Sequence, residues 1–259
     1  MLSKLSIGAL LPFFLGTLAS PLPVPADLSL LVERNAPLNQ FLSLLVDYLP
    51  AINETLSDAS SVITGLDTVL ADVLDLQTTY NQLGSGSCTA YTLLFARGTS
   101  EPGNVGVLVG PPLFMALQTL INPSDLTIQG VNNYAASIEG YLEGGDPAGS
   151  AEMAQQIQQA HSACPNTKLI VSGYSQGSQI VHNAIGQLPA ATASWISSVL
   201  LFGDPDDGQA LPSVAASKVN TVCHDGDDIC SNGIFILPAH LTYAENVATA
   251  ASFALAAAS

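Results

Sequence analysis

The chain has 259 residues, 48% of them hydrophobic, which is enough for a domain of ordinary size with a large apolar core. This composition argues against global disorder. The formal net charge is −16, from 21 acidic residues against five lysines and arginines. Such a surface repels phosphate groups, so nucleic-acid binding and charge-driven adsorption on anionic membranes are both disfavoured.

The N-terminus has the pattern of a secretory signal peptide. Lys4 supplies a positive charge, and residues 7–18 form a mostly apolar run that is too short to span a membrane. Because Pro21 disfavours cleavage directly before it, we expect cleavage after Ala19. Residues 1–19 are therefore predicted to be a signal peptide, and the mature protein is predicted to be secreted. The alternative is an uncleaved anchor, and no later stretch has the pattern of a transmembrane helix.

Residues 20–87 form an acidic segment without cysteine. Apolar residues recur at helical spacing between residues 39 and 83, which predicts two amphipathic helices. Residues 84–87, Gly-Ser-Gly-Ser, indicate a short flexible linker. We expect a helical N-terminal extension or a propeptide, with a partner-binding element as a further alternative. The Asn-Glu-Thr sequon makes Asn53 a candidate glycosylation site.

From residue 88 to residue 259 the pattern predicts the main domain. Short apolar strands alternate with helical stretches, which is typical of a parallel sheet covered by helices on both faces. We therefore expect an α/β fold of three layers around a five-stranded parallel sheet. The predicted strands are 89–96, 126–131, 168–172, 199–202 and 218–222, and the predicted helices are 105–121, 148–163, 176–187, a weaker 211–217 and one that begins near residue 240.

The pentapeptide Gly-Tyr-Ser-Gln-Gly at residues 173–177 matches the pattern G-x-S-x-G. It follows a predicted apolar strand and precedes a predicted helix, which is the setting of a nucleophile elbow. Such a turn exposes the serine at the strand end and directs the N–H groups of the helix N-terminus toward a developing oxyanion. We predict that Ser175 is a nucleophile; an ordinary strand–helix turn is the alternative.

A serine hydroxyl needs an adjacent base, and α/β hydrolases place their triad in the order serine, acid, histidine. His161 precedes the serine, and His182 lies on the helix that begins at the elbow. His224 precedes the acids of its own loop, which is the wrong order. His240 is the last histidine and follows a short apolar loop, so it is the predicted base.

Sequence order leaves the acid open, because six aspartates lie between the predicted nucleophile and the predicted base. Three of them fall inside the short loop between two cysteines, where a disulfide would hold a carboxylate against the imidazole. The others are equally explained as solvated turn residues. The candidates are Asp204, Asp206, Asp207, Asp225, Asp227 and Asp228.

The chain contains four cysteines, and an even number in a secreted protein indicates two disulfides with three possible connectivities. Cys223 and Cys230 are close in sequence and would close a small loop, which leaves Cys88 and Cys164 to pair across the domain. A zinc site is disfavoured, because no Cys-x-x-Cys pair or histidine cluster accompanies these cysteines.

An oxyanion hole needs two donors. One is expected to be the backbone N–H of Gln176, the residue after the predicted nucleophile. The second should come from the loop that follows the first strand, at residues 97–101. Thr99 offers both a backbone N–H and a hydroxyl there, although a plain polar turn explains the same residues.

Four motifs in this order resemble those of fungal cutinases and cutinase-like serine esterases, over roughly residues 88–245. The resemblance implies an α/β-hydrolase fold, Asp227 as the triad acid, and Thr99 and Gln176 as oxyanion donors. It also implies the disulfides Cys88–Cys164 and Cys223–Cys230. The motifs are ARGTSEPGN at 96–104, GYSQG at 173–177, the loop 223–230 and PAHLTY at 238–243.

The resemblance implies a two-step acyl transfer in which Ser175 attacks an ester carbonyl and His240 moves the proton. The expected substrates are cutin and short- to medium-chain acyl esters. No metal or organic cofactor is expected, and we expect a monomer. The alternatives are an acetylxylan esterase, a lipase-like esterase and a catalytically inactive secreted surface or effector protein.

Overall fold

A computed structural model describes residues 26–258 of the chain, with side chains from residue 36 onward. The helices are α1 (Ala26–Tyr48), α2 (Leu56–Leu74), α3 (Gly110–Leu120), α4 (Ile138–Leu142), α5 (Pro147–Ala163), α6 (Gln176–Gly186), α7 (Ala190–Trp195) and α8 (Val247–Ala257). The strands are β1 (Glu54–Thr55), β2 (Tyr91–Ala96), β3 (Leu126–Gly130), β4 (Lys168–Tyr174), β5 (Ser198–Phe202), β6 (Val219–Val222) and β7 (Phe235–Ile236).

The central sheet has five parallel strands in the order β3-β2-β4-β5-β6. Side chains alternate along each strand, so Leu93 and Phe95 of β2 enter one apolar layer while Leu94 and Ala96 enter the other. Helices α1, α2, α3 and α8 cover the first face, and α5, α6 and α7 cover the second. The predicted three-layer α/β architecture is confirmed.

The N-terminal helices are part of the main core. Phe41 and Leu45 of α1 and Leu70 of α2 are fully buried. They belong to the same apolar cluster as Phe95 of the sheet and Leu113 of α3. The extension therefore covers one face of the catalytic domain instead of standing apart from it.

A short two-stranded sheet fastens this extension to the opposite end of the chain. β1 pairs antiparallel with β7, and Thr55 lies opposite Phe235. The N–H of Leu56 then donates to the carbonyl of Ile234 at 2.7 Å. The N-terminal segment is thus hydrogen-bonded to the strand that leads directly into the predicted base.

The processing and domain assignments stay predictions. The predicted signal peptide at 1–19 lies outside the described residues. Residues 20–87 remain predicted as either an N-terminal extension or a propeptide, and residues 88–259 remain the predicted catalytic domain. Asn53 is exposed immediately before β1, as a glycosylated residue has to be. Across residues 26–258, no helix combines the length and apolar character that a membrane span requires.

The prediction of helix up to residue 83 is wrong after residue 74. Helix α2 stops at a left-handed residue, Asp75, with φ of 50°. Residues 77–83 then run along β3, because the unpaired backbone groups of that edge strand offer partners that a longer helix would lack. Backbone hydrogen bonds join Gly130 to Tyr80 at 3.0 Å and Gln82 to Ile128 at 3.2 Å.

Three other helix predictions shift. The helix predicted to begin at residue 105 begins at Gly110, because the two prolines that follow it fit only a first turn. The stretch 211–217 forms only a 3-10 turn, at Ala216–Lys218. Two 3-10 turns at Pro238–Leu241 and Tyr243–Asn246 replace the start of the last helix.

Two disulfides join distant parts of the domain. Cys88 and Cys164 link the start of the sheet domain to the end of α5, with an S–S distance of 2.06 Å. Cys223 and Cys230 close a loop after β6, with an S–S distance of 2.07 Å. Both bridges restrict the unfolded chain, and the second also limits the conformations of a loop that carries candidate acids.

Helix α2 carries one buried acidic residue, Asp67, whose side chain is enclosed between the helix and the domain. Only 1% of Asp67 is exposed, and neither carboxyl oxygen has a hydrogen-bond partner. Burial, and then the negative charge of Glu101, raise the pKa of Asp67 well above its ordinary value. Ionising this group therefore opposes folding.

Replacing Asp67→Asn should raise the free energy of unfolding near neutral pH by about 1–3 kcal/mol, because the amide has no charge and so removes the cost of burying a carboxyl that is ionised in the unfolded chain at that pH. A carboxyl whose pKa is raised by folding weakens the fold as pH rises from its unfolded pKa toward its folded pKa. The gain should therefore disappear in acid, where the wild-type carboxyl is already protonated. Urea unfolding across this pH range measures it. Asp72→Asn, an exposed site on the same helix, is the control, and an equal gain at every pH would contradict the account.

Candidate active site

The junction of β4 and α6 has the geometry of a nucleophile elbow. β4 ends at Tyr174, and α6 begins at Gln176. Ser175 between them has φ of 55° and ψ of −125°, a conformation that is strained for a residue with a side chain. Its N–H donates to the carbonyl of Phe202 on β5 at 2.9 Å, which fixes the turn against the sheet.

Two glycines permit this turn. A Cβ atom on Gly177 would lie 2.1 Å from the carbonyl oxygen of Ala96. A Cβ atom on Gly173 would lie 2.3 Å from the carbonyl oxygen of Gly177. Both distances are far below van der Waals contact, so the strand and helix approach this closely only because the pattern G-x-S-x-G supplies glycine at both positions.

The predicted base and the predicted acid are hydrogen-bonded. His240 Nδ1 lies 2.8 Å from Asp227 Oδ2, and both residues are buried. Because a carboxylate only accepts, Nδ1 carries the hydrogen, and Nε2 of the neutral ring is the proton acceptor. The other oxygen of Asp227 accepts from the N–H of Ile229 at 3.0 Å, inside the loop closed by Cys223 and Cys230.

The surroundings of Asp227 favour its charged form. Burial raises its pKa, but the hydrogen bond and charge of His240 oppose this effect, together with hydrogen bonds from Tyr243 and the N–H of Ile229. The net result is a pKa below the ordinary value of an aspartate. Asp227 is therefore a carboxylate at neutral pH, as a group that stabilises an imidazolium must be.

The imidazole of His240 lies beside the elbow. Its ring stacks on Tyr174, the residue before the serine, with ring centroids 5.1 Å apart. The Tyr174 hydroxyl donates to the backbone carbonyl of His240 at 2.9 Å. On the other side, a Cβ atom at Gly203 would lie only 2.9 Å from His240 Cε1. Gly203 follows the residue whose carbonyl holds the Ser175 N–H, so the three predicted residues gather at one sheet edge.

Thr99 and Gln176 are also brought together, although through a contact that the sequence did not predict. The side-chain amide of Gln176 donates to Thr99 Oγ1 at 2.8 Å and to the carbonyl of Ser137 at 2.7 Å. The sequence analysis considered only the backbone N–H of Gln176. Its side chain fixes the rotamer of Thr99, which is buried with 4% exposure.

Sequence reasoning missed Glu101, which organises the loop that carries Thr99. Its buried carboxyl accepts from the N–H of Gly98 at 2.7 Å, of Val107 at 3.0 Å and of Leu108 at 2.9 Å. The loop is therefore anchored from inside and is more than a plain polar turn. The available signal was an acidic residue within a short loop of glycine and hydroxyl residues.

The remaining candidates serve other contacts. His182 pairs with Asp204 at 2.9 Å. His161 stacks on Trp195, with ring centroids 4.5 Å apart. Asp228 accepts backbone N–H groups of the loop that follows it. These contacts give His182, Asp204, His161 and Asp228 partners outside the pair of His240 and Asp227.

Comparison with known proteins identifies the family. The fold defines a protein of the α/β hydrolase type, and a family model for cutinases matches residues 87–258. The chain belongs to the cutinase family and is a carboxylic ester hydrolase. The resemblance noted in the sequence is thereby confirmed.

The similar proteins cover most of the chain. A cutinase of Pyrenopeziza brassicae is 48% identical over 196 residues, which are 76% of this chain and 95% of that protein. The structure of Trichoderma reesei cutinase in complex with a C11Y4 phosphonate inhibitor has a TM-score of 0.71 and 44% identity, and the match covers 86% of this chain and 99% of that one. An acetylxylan esterase structure at 22% identity and TM-score 0.54 shares the fold, covering 67% of this chain and 100% of that one.

Replacing Asp227→Asn should lower kcat by about 10³–10⁴, because an amide no longer holds the imidazole tautomer or stabilises the imidazolium. Steady-state hydrolysis of a soluble ester measures the loss. Asp225→Asn, an exposed site in the same disulfide loop, is the matched control and should retain activity. Equal losses in the two variants would show that the loop, and not the carboxylate, is what matters.

Proposed function

We propose that this enzyme hydrolyses carboxylic esters through an acyl-enzyme formed on Ser175, with His240 as base and Asp227 as the orienting acid. The observation that supports the proposal most directly is the 2.8 Å hydrogen bond between His240 and Asp227, beside a serine with strained backbone. A positive φ at a serine costs free energy, and the contacts around this turn hold Ser175 in that conformation.

The chemistry follows from the placement of the groups. His240 Nε2 removes the proton of Ser175 as its oxygen attacks the ester carbonyl, and Asp227 stabilises the imidazolium that forms. The imidazolium then protonates the leaving alcohol. A water activated by the same imidazole releases the acyl group and regenerates the hydroxyl.

The negative oxygen of the tetrahedral intermediate is assigned to donors at the N-terminus of α6 and in the adjacent loop. The backbone N–H of Gln176 is the first donor, and the helix dipole adds to its effect. Thr99 supplies the second, and the Gln176 amide bound to its oxygen orients it. Because these donors are fixed before substrate binds, no reorganisation is needed during the reaction.

Apolar side chains around the site support acyl esters as substrates. Leu142 of α4 and Ile234 and Phe235 at β7 are large, apolar and exposed. The hydroxyl of Tyr141 donates to the carbonyl of Gly233 and joins these two elements. A cavity of about 420 Å³ lies between Leu142 and Ile234, and the polar side chains of Glu143, Gln179, Asp206 and Asn232 also line it. We propose that short- to medium-chain acyl groups, and the aliphatic chains of cutin, bind along this surface.

An acetylxylan substrate is a weaker candidate, because that relative shares only the fold and because Leu142, Ile234 and Phe235 form an exposed apolar surface here. A catalytically inactive surface protein is disfavoured by the charge state of Asp227 and the fixed oxyanion loop. We further propose that the protein is secreted, which the two disulfides support, and that it is a monomer without residues 1–19.

Replacing Ser175→Ala should abolish labelling by a fluorophosphonate probe and lower hydrolysis of p-nitrophenyl esters by about 10⁵- to 10⁶-fold. Ser178→Ala, which removes a buried hydroxyl from the same helix turn, should keep both activities. A series of p-nitrophenyl esters of rising chain length, with cutin and acetylated xylan beside it, measures substrate preference. Labelling that survives in Ser175→Ala, or a clear preference for acetylated xylan, would contradict the proposal.

A further inference from the structure

We propose that Tyr243 is a positioning residue for the triad acid, an inference that rests on the proposed roles of Asp227 and His240. The Tyr243 hydroxyl donates to Asp227 Oδ2 at 2.5 Å. That oxygen is the same one that receives the Nδ1–H of His240. Tyr243 is fully buried, so no bulk water competes for the carboxylate at this contact.

The direction of the Tyr243 hydrogen is fixed by a second contact. The backbone N–H of His224 donates to the phenol oxygen at 3.1 Å, so the oxygen already accepts on that side and its own hydrogen is directed to Asp227. The sulfur of Cys230 lies 3.4 Å from the same oxygen, but it is bonded to Cys223 and has no hydrogen to donate. The phenol is therefore a donor to the carboxylate and not an acceptor from it.

The ring of Tyr243 is held as firmly as its hydroxyl. His224 stacks on it with centroids 4.2 Å apart and an interplanar angle of 22°. The same His224 ring is hydrogen-bonded to the carbonyl of Ala239 at 2.8 Å and to Asn246 Oδ1 at 2.6 Å. Ala239 directly precedes His240, so these bonds join the acid loop, the phenol and the backbone of the base into one unit.

This arrangement has a chemical consequence for the base. A hydrogen bond from a neutral hydroxyl neutralises part of the charge on Asp227 without transferring a proton, and it keeps the carboxylate aligned with the imidazole. Without this bond, the carboxylate would hold the imidazolium form of His240 more strongly. The neutral imidazole that accepts the Ser175 proton would then require a higher pH.

Other aromatic and ionisable groups lie around this cluster. Tyr174 stacks on His240, and His224 stacks on Tyr243. Burial and the negative charge of Asp207 help to raise the pKa of Tyr243. Burial and the negative charges of Glu101 and Asp67 help to raise the pKa of Tyr174. Burial and the negative charges of Asp228 and Asp206 help to raise the pKa of Tyr141.

The experiment compares Tyr243→Phe with Tyr174→Phe. Each variant deletes one buried phenol hydroxyl beside His240, but the Tyr174 hydroxyl donates to a backbone carbonyl and not to a carboxylate. Active sites are counted with a phosphonate probe, so that rates refer to folded, reactive enzyme. For Tyr243→Phe, kcat/KM should fall roughly 3- to 30-fold, and the acid limb of its pH profile should move up by about half a pH unit. Tyr174→Phe should leave that limb in place.

An acid limb that stays at the wild-type position in Tyr243→Phe would overturn the proposal, as would equal shifts in the two variants. Failure of the proposed function is distinguishable, since the wild-type enzyme would then not react with the phosphonate.

If Tyr243→Phe does not fold, proton NMR of Ser175→Ala tests the same bond. In the Ser175→Ala background, a downfield hydroxyl resonance should survive the addition of His240→Ala, which removes the Nδ1–H. It should move upfield when Asp227→Asn replaces the charged acceptor with a neutral amide. The absence of such a resonance in Ser175→Ala would overturn the proposal.

Discussion

The hydrogen bond between His240 and Asp227 is the interaction on which the arrangement of the site depends. Both groups are buried, and burial alone would favour a neutral carboxyl. The carboxylate keeps its charge because the imidazole, a phenol and a backbone N–H all donate to it. The disulfide loop after β6 and the turn before α8 meet at this one group, so these hydrogen bonds join the two segments.

The parallel sheet explains why such distant residues can meet. Carboxyl ends of neighbouring parallel strands lie at one edge, and β4, β5 and β6 are adjacent there. Ser175 follows β4, Gly203 follows β5 and leaves space for the imidazole, and the loop of Asp227 follows β6. The fold supplies the proximity, and local hydrogen bonds supply the orientation.

The elbow and the sheet could be predicted from sequence because their signals are local. Gly173 and Gly177 around a serine, between an apolar run and a helix, allow few other structures. The triad acid could not be predicted from local signals. Six aspartates satisfy the sequence order, and only the family resemblance distinguished Asp227. The part played by Tyr243 could not be predicted, because the direction of its hydroxyl depends on His224 and a loop distant in sequence. Residues 77–83 were mispredicted for a related reason, as an edge strand 46 residues away supplies their partners.

The pairing of β1 with β7 has a consequence for the maturation of the enzyme. Helices α1 and α2 share an apolar layer with the sheet. β1, which lies between them, pairs with β7, and β7 leads into the turn that carries His240. Proteolysis up to residue 87, where the cutinase match begins, would expose α3. It would also remove the strand that pairs with Phe235 and Ile236. Removing the N-terminal segment would therefore disturb the active site as well as lower the stability of the fold.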